Sequence, residues 1–327
     1  MTFKGGDVKK FALLFSIPLC VAAGAASAAF PDKDINWIVP YSPGGGFDAW
    51  SRQIGMHMQK HLPPGVNVVV RNVTGAGGRT GSINLYRAKP DGYTVGLLDV
   101  AGLLPYQKAV GADKAGYDIE KYVWIGRVAN EPWVLLAPSK SPLKTLADLK
   151  ARKDLSWGIE GPGSTKWLFA IIEARELGLP MRFVSGYGGT GEMIPASLRG
   201  DYELWTNAGP AHIPYVKNGE LRALLQFGDK RMGAFPDVPT AKELGHDLVA
   251  EILRLLAAPP GTPADVAKTL EGAFLKAMNE PAFKAWVVKS QQEANPGGQK
   301  EAAAAAANFS RLVERHMKDI AEVLRKQ

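Results

Sequence analysis

The sequence predicts an α/β fold in which strands and helices alternate around a doubly wound sheet. Two observations come from the start of the chain, where apolar strand-like runs at 36–40 and 66–70 each lead through a glycine-rich turn into a helix-like segment. The third is that the same order restarts near residue 122. In doubly wound sheets, ligands bind outside the carboxyl ends of the strands, so these turns are the first candidates for a site.

The first turn, YSPGGGFD at 41–48, joins the first predicted strand to a helix with apolar residues at positions 47, 50, 54, 58 and 62. Three glycines leave backbone N–H groups uncovered, and the helix N-terminus adds unpaired donors and a partial positive charge. The turn therefore suits an anion. Asp48 is placed to cap the helix and hold the turn in shape. The alternative is that the turn is only a tight connection.

The remaining elements follow the same alternation. Further strands are predicted at 93–98, 124–128, 134–137, 155–158, 181–184, 202–205, 221–227 and 251–257. Helices are predicted at 81–89, 143–153 and 191–198, in a segment ending at 177, and in a tail that begins after Pro263. The last helix has one apolar face, which predicts packing on a core; it consists of Phe309, Leu312, Val313, Ile320, Val323 and Leu324.

Residues 1–28 have the features of a cleaved secretory signal peptide. Three lysines precede an apolar run at 11–21 that is too short to span a bilayer, and Ala26-Ser27-Ala28 is a small-residue cleavage site. The single cysteine, Cys20, lies inside this segment, where lipidation is an alternative role. The mature chain would carry no thiol and a charge of about +5, without a basic run that binds nucleic acid. This balance suits a small anionic molecule.

Motifs for common catalytic and nucleotide sites are incomplete. Gly75-Ala76-Gly77 has Thr80 where a dinucleotide motif needs its third glycine, and Asp99 is the nearest candidate for the acidic residue. Residues 158–166 resemble a phosphate loop, but Ser164-Thr165 stands where lysine and a hydroxyl residue are required.

His57 and His61 have the spacing of metal ligands, yet the glutamate of a zinc protease is missing after His57. We interpret both as exposed on the polar face of a helix. The sequence has no G-x-S-x-G elbow. The donor-rich turns have no general base beside them, which favours binding over catalysis, so we predict no metal and no cofactor.

Six segments resemble the extracytoplasmic solute receptors of the tripartite tricarboxylate transporter type, the Bug receptors. The resemblance runs through most of the mature chain and is carried by IVPYSPGGGFD at 38–48, VVRN with GAGG at 69–78, PDGYT at 90–94, GST at 163–165, GELRAL at 219–224 and FPDVPT at 235–240.

The resemblance implies a type II periplasmic-binding-protein fold, in which two doubly wound α/β domains are joined by two crossing strands. Domain 1 would comprise 29–129 and 252–327, and domain 2 would comprise 130–251. The implied function is a monomeric periplasmic receptor, not an enzyme, that closes on a small carboxylate and delivers it to integral membrane transporter subunits. The alternative is a secreted α/β hydrolase that uses the same cleft.

The resemblance also assigns ligand-binding residues on both sides of the cleft. On one side they are Tyr41, Pro43, Gly44, Gly45, Gly46, Phe47, Asp48, Gly75, Ala76, Gly77 and Gly78; on the other they are Ser164, Thr165, Tyr187 and Asn207. Two positions depart from the family pattern: Ser185-Gly186 replaces proline-tyrosine, with Tyr187 one place later, and Asn207 replaces aspartate. The ligand preferences of the family therefore cannot be carried over.

Four aromatic residues adjoin the predicted site loops: Phe47, Trp167, Tyr187 and Trp205. If they line the cleft, they favour an aromatic or largely apolar carboxylate over a heavily hydroxylated one such as citrate. The alternative for each is packing in the core.

Overall fold

The computed structural model of the protein describes residues 1–2, 30–41, 43–161, 164–187, 190–290 and 292–325. The predicted signal peptide and Cys20 lie outside these residues, apart from Met1 and Thr2. Ser42 and Gly163 of the predicted site motifs also lie outside them. The predictions for those positions remain predictions.

The described residues form nine strands and eleven α-helices. The strands are β1 Ile35–Val39, β2 Val68–Asn72, β3 Thr94–Asp99, β4 Val123–Pro138, β5 Ser156–Gly158, β6 Arg182–Val184, β7 Leu204–Ala208, β8 Leu221–Gln226 and β9 Glu251–Ala258. The helices are α1 Gly46–Gln59, α2 Arg79–Tyr86, α3 Val100–Val110, α4 Ala112–Ala115, α5 Leu146–Lys150, α6 Thr165–Leu177, α7 Thr190–Arg199, α8 Ile213–Lys217, α9 Ala264–Asn279, α10 Pro281–Lys289 and α11 Gln299–Arg325. None of the helices in this part of the chain is long and apolar enough to cross a bilayer.

The strands form one curled sheet in the order β2-β1-β3-β9-β4-β7-β5-β6, with β8 also paired to β4. β1 is parallel to both β2 and β3, and β5 is parallel to both β6 and β7. We call these groups the first and the second half-sheet. β9 and β4 lie between them, antiparallel to each other and to the neighbouring strands β3 and β7. This arrangement confirms the predicted α/β fold.

β4 is a single strand of 16 residues, so the prediction of separate strands at 124–128 and 134–137 is wrong. Pro132 does not interrupt it because the proline lies where the strand changes partners. Pro132 is in register with Glu251 at the start of β9, whereas Trp133 is in register with Ala208 at the end of β7. One continuous strand therefore belongs to both halves of the sheet.

Other predicted boundaries also differ from the structure, and one helix was not predicted. α5 is shorter than the predicted 143–153 because Thr145 and Asp148 form a capping box that starts the helix there. β7 extends to Ala208 rather than ending at 205, which puts Asn207 inside a strand. The sequence pattern does not predict α3, which is mostly apolar and contains Pro105.

The helices cover the sheet with the faces that their apolar spacing predicts. Trp50, Ile54 and Met58 of α1 are fully buried. The predicted apolar face of α11 is buried from Phe309 to Val323, while the side chain of Leu324 lies outside the described part. The Phe309 ring lies 5.9 Å from that of Phe169 in α6. α11 also reaches α3, so it contacts elements of both halves.

Candidate ligand-binding site

The first glycine turn is held by Asp48. Gly44 has a φ of +80°, which favours glycine, and its N–H donates to Asp48 Oδ2 at 2.9 Å. Arg52 Nε and Asn72 Nδ2 donate to the same carboxylate at 3.0 and 2.9 Å. Burial opposes ionisation of Asp48, but these hydrogen bonds outweigh it and lower its pKa to about 2. The prediction that Asp48 holds the turn is confirmed.

The helix N-cap, however, is Gly45 and not Asp48, which is the third residue of α1. No side chain caps this helix end. The amides of Gly46, Phe47 and Asp48 have no carbonyl of their own helix to bond, because the first bond of the helix runs from the Ala49 amide to the Gly45 carbonyl. Pro43 and the three glycines are exposed. The turn thus leaves an open, partially positive helix end.

The second glycine turn lies beside the first. Gly75, Ala76, Gly77 and Gly78 all have positive φ values, and Ala76 is a non-glycine residue in this region at +50°. Gly75 to Gly77 are exposed, while Gly78 is buried under Tyr41. A Cβ on Gly78 would lie 2.7 Å from the Tyr41 hydroxyl oxygen. Only glycine fits this contact, which brings the two turns together.

On the opposite side, Ser164 and Thr165 begin α6. Ser164 is the N-cap, and its hydroxyl accepts a hydrogen bond from the Trp167 amide at 3.2 Å. Thr165 faces the first turn of α3: a Cβ on Gly102 would lie 3.4 Å from the Thr165 hydroxyl and 3.1 Å from Asp99 Oδ2. Asp99 in turn caps α3 by accepting from the Ala101 amide at 3.1 Å. The N-termini of α3 and α6 therefore meet across the two halves.

Asn207 and Tyr187 are held within the second half. Asn207 is buried, donates to Thr190 Oγ1 at 2.9 Å and accepts from the Ala208 amide at 2.9 Å. Tyr187 is half-buried, with its ring 5.5 Å from that of Tyr202. In the described residues, no hydrogen bond or ring contact joins Tyr187 or Asn207 to the first half-sheet.

The aromatic residues divide between core and site. Trp205 is fully buried and Trp167 nearly so, each within an apolar cluster, so their alternative role in the core is the one the structure shows. Phe47 is buried too, but its ring lies against Tyr41 at 4.5 Å and under the Arg254 guanidinium at 4.2 Å. Phe47 and Tyr41 therefore form one wall beside the open end of α1.

Sequence reasoning missed two charged residues next to this wall. Arg254 on β9 and Glu131 on β4 form a buried, two-pronged ion pair, with Nε–Oε1 and Nη2–Oε2 distances of 2.6 and 2.9 Å. The signal was present as a lone arginine in the apolar strand EILRLLAA. The pair lies 123 residues apart in the chain, and only the fold brings it together.

The sequence presents Asp99 only as part of an incomplete dinucleotide motif, yet it belongs to this cluster. It lies opposite Arg254 in the β3–β9 register. Burial raises the pKa of Asp99 to about 6, although the Arg254 charge opposes the shift. Burial and the Asp99 charge also raise the pKa of Tyr41. Several polar groups are thus partly desolvated at this point.

The prediction that His57 and His61 are exposed is wrong, because His57 is 3% exposed and His61 is half-buried. His57 bonds to Glu280 at the start of α10, and Lys60 Nζ and His61 Nε2 lie 2.8 Å from the same carboxylate. The Lys60 and His57 hydrogen bonds lower the pKa of Glu280 to about 2.

No group of histidine, cysteine and acidic side chains suited to a metal occurs in the described residues.

A groove of about 520 Å³ lies away from these residues, between α11 and β9. Its charged lining includes Arg127, Glu251 and Arg315. It contains none of the predicted site residues.

Comparisons with known proteins agree on one family. The family described as "Tripartite tricarboxylate transporter family receptor" matches residues 50–320. A UPF0065 protein of Cupriavidus necator is 32% identical over 277 residues, 83% of this chain and 82% of that protein. A TctC solute-binding protein structure from Polaromonas has a TM-score of 0.75 at 26% identity, over 88% of this chain and 99% of that one. An R. palustris protein solved with adipate shares the fold, with a TM-score of 0.70 at 20% identity over 89% and 98% of the chains.

Proposed function

Because the chain belongs to the tripartite tricarboxylate transporter receptor family, we propose that it binds a small carboxylate at the N-terminus of α1 and delivers it to the membrane subunits of such a transporter. The chain is a solute-binding receptor of this family, and its fold is that of the periplasmic binding proteins. Family receptors of this type are periplasmic. We propose the same location here, with export directed by residues 1–28 and cleavage after Ala28.

The observation that best supports a carboxylate ligand is the uncapped N-terminus of α1. Three helices begin with predicted site residues or next to them: α3 is capped by Asp99 and α6 by Ser164, while α1 has no side-chain cap. A carboxylate placed there would accept hydrogen bonds from the amides of the first helical turn and so replace the missing cap. Exposed glycines leave the approach clear of side chains.

We further propose that domain 1 and domain 2 meet near residues 130 and 252 and close on the ligand. The change of partner in β4 at Pro132 and Trp133 supports this boundary. The facing N-termini of α3 and α6 support a ligand held between the halves. Small-angle scattering with saturating ligand tests the movement; an unchanged radius of gyration would count against it.

The ligand is tested by calorimetric titration and thermal shift with malate, adipate, benzoate and citrate. A bound carboxylate at about 100 times its Kd stabilises the fold by about 2.7 kcal/mol. Incubation with carboxylate esters should yield no product. Product formation would support the hydrolase alternative, and no binding of any of the four acids would reject this ligand class. Since Trp167 and Trp205 are core residues, a preference for benzoate would depend on Phe47, Tyr41 and Tyr187.

A further inference from the structure

The Glu131–Arg254 pair leaves part of the guanidinium unused. Arg254 is 6% exposed and Glu131 is 3% exposed, so both charges are withdrawn from water. A guanidinium carries five N–H donors on three nitrogens. Glu131 occupies Nε and Nη2. Nη1 is buried and has no hydrogen-bond partner in the described residues.

A buried donor without an acceptor costs about 1–3 kcal/mol. An arginine that served only to hold β4 against β9 would gain nothing from such a group. The unpaired Nη1 therefore indicates an acceptor that the described part of the chain does not supply. The acceptor that matches a guanidinium best is a carboxylate.

The position of the guanidinium identifies where that acceptor would lie. Its carbon stacks 4.2 Å from the centre of the Phe47 ring. A Cβ on Gly46 would lie 3.1 Å from Nη2 and 3.6 Å from Nη1. Arg254 thus stands beside the first residue of α1, at the uncapped helix end. The partially positive helix end and the unpaired Nη1 donor of Arg254, whose charge is paired with Glu131, meet at one place.

We propose that Arg254 is a ligand-binding residue whose Nη1 donates to the carboxylate held at the α1 N-terminus. This deepens the proposed function and rests on it. The ligand class that follows is a carboxylate ionised at this end, recognised by a charged side chain as well as by backbone amides. An uncharged amide of the same acid would lose both the charge and an acceptor oxygen. Glu131 is then a positioning residue that fixes the guanidinium plane.

The test compares Arg254→Lys with Glu131→Gln, using the same four acids and the primary amide of whichever binds most tightly. Lysine keeps a charge near Glu131 but cannot hold it with two nitrogens and offer a third. We expect Arg254→Lys to weaken binding of the acid about tenfold or more and to change binding of the amide little. We expect Glu131→Gln to weaken binding of the acid less than Arg254→Lys does and to keep the preference for acid over amide, because the guanidinium keeps its charge but is held by one acceptor oxygen instead of two.

If Arg254 only braces β4 and β9, both variants should lose stability and neither should change the preference for acid over amide; that result would overturn the proposal. The double variant Glu131→Gln/Arg254→Gln removes both buried charges and so avoids leaving one unpaired. It should fold and bind the acid as weakly as Arg254→Lys; wild-type affinity in it would also overturn the proposal. A wild-type chain that binds none of the four acids would instead reject the proposed function itself, together with this role.

Discussion

The two sides of the candidate site are built by different means. On the first side, the α1 and β2–α2 turns are rich in exposed glycines, and the amides of Gly46, Phe47 and Asp48 have no acceptor within their own helix. On the second side, Ser164, Asn207 and Thr190 are side chains that already bond to one another or to their own backbone. The first side has unfilled donors, whereas Ser164, Thr190 and Asn207 on the second side already have partners.

This difference separates two properties of a receptor. Unfilled donors and the Arg254 charge on the first side would supply most of the attraction for an anion. The side chains of the second side that already have partners would instead fix the shape of the cleft. Removing one of their hydrogen bonds should therefore lower the stability of the fold more than the affinity for the ligand. Substitutions on the two sides should therefore separate affinity from stability.

The largest effect is expected from Gly45→Val on the first side. Gly45 has φ −76° and ψ 170°, which valine can adopt, so the fold should persist. The added bulk would cover the open end of α1 and weaken carboxylate binding by roughly 100-fold, or about 2.7 kcal/mol. Calorimetric titration measures it. Gly233→Val is the matched control, because Gly233 is exposed and a Cβ added there would have no atom within 4 Å. Equal affinities for both variants would mean that the turn is only a connection.

The second effect concerns Asp99, a side chain on the first side. Its pKa is about 6 in the fold against 3.8 for an ordinary aspartate, so the folded state holds a proton that the unfolded chain has released between about pH 4 and pH 6. Stability therefore falls as the pH rises through this window, by up to about 3 kcal/mol. Asp99→Asn keeps a capping side chain and removes this penalty.

Denaturant unfolding at pH 4 and pH 7.5 tests this expectation for Asp99→Asn. The variant should be more stable than the wild type at pH 7.5 and equal to it at pH 4. The same stability difference at both pH values would show that burial of the charge is not the cause.

The third effect is a loss of stability without a comparable loss of affinity. Ser164→Ala removes the cap of α6, which costs about 1 kcal/mol, while the anion donors of α1 remain intact. The Tm should drop by about 2 °C and the Kd should change less than threefold. Ser164→Thr, which keeps a capping hydroxyl, should recover the loss. A Kd change as large as that of Gly45→Val would remove the distinction between the two sides.

The smallest effect is expected from Asn207→Asp. Aspartate can still accept from the Ala208 amide and from the Thr190 hydroxyl, so the fold should tolerate it. The added negative charge should weaken carboxylate binding by about threefold at low salt. Because salt screens this repulsion, the difference from wild type should shrink at higher ionic strength. A salt-independent change would point to a direct contact with the ligand instead.

Local features of the site could be predicted from the sequence, and distant ones could not. Gly44, Gly45 and Asp48 adjoin each other in the chain, so the turn and its support were visible in eight residues. Arg254 and Glu131 meet only because β4 and β9 pair, and His57 is buried by Glu280 from 223 residues later. Trp205 adjoins a site loop in sequence, yet its side chain turns into the core. Sequence proximity to a loop does not fix the direction of a side chain.

The last helix, α11, contacts helices of both halves of the molecule. α11 packs on α6 through Phe309 and Phe169, and it reaches α3 through Glu314, whose carboxylate lies 2.6 Å from Lys108 Nζ. If the halves move, this partly exposed ion pair is easier to break than the packing of the two rings, because ion pairs near the surface contribute about 1 kcal/mol or less. Lys108→Ala, in the last turn of α3, would then weaken the contact between α11 and α3 and change ligand release rates in stopped-flow measurements. A contact outside the candidate site would thereby influence how fast the two halves separate.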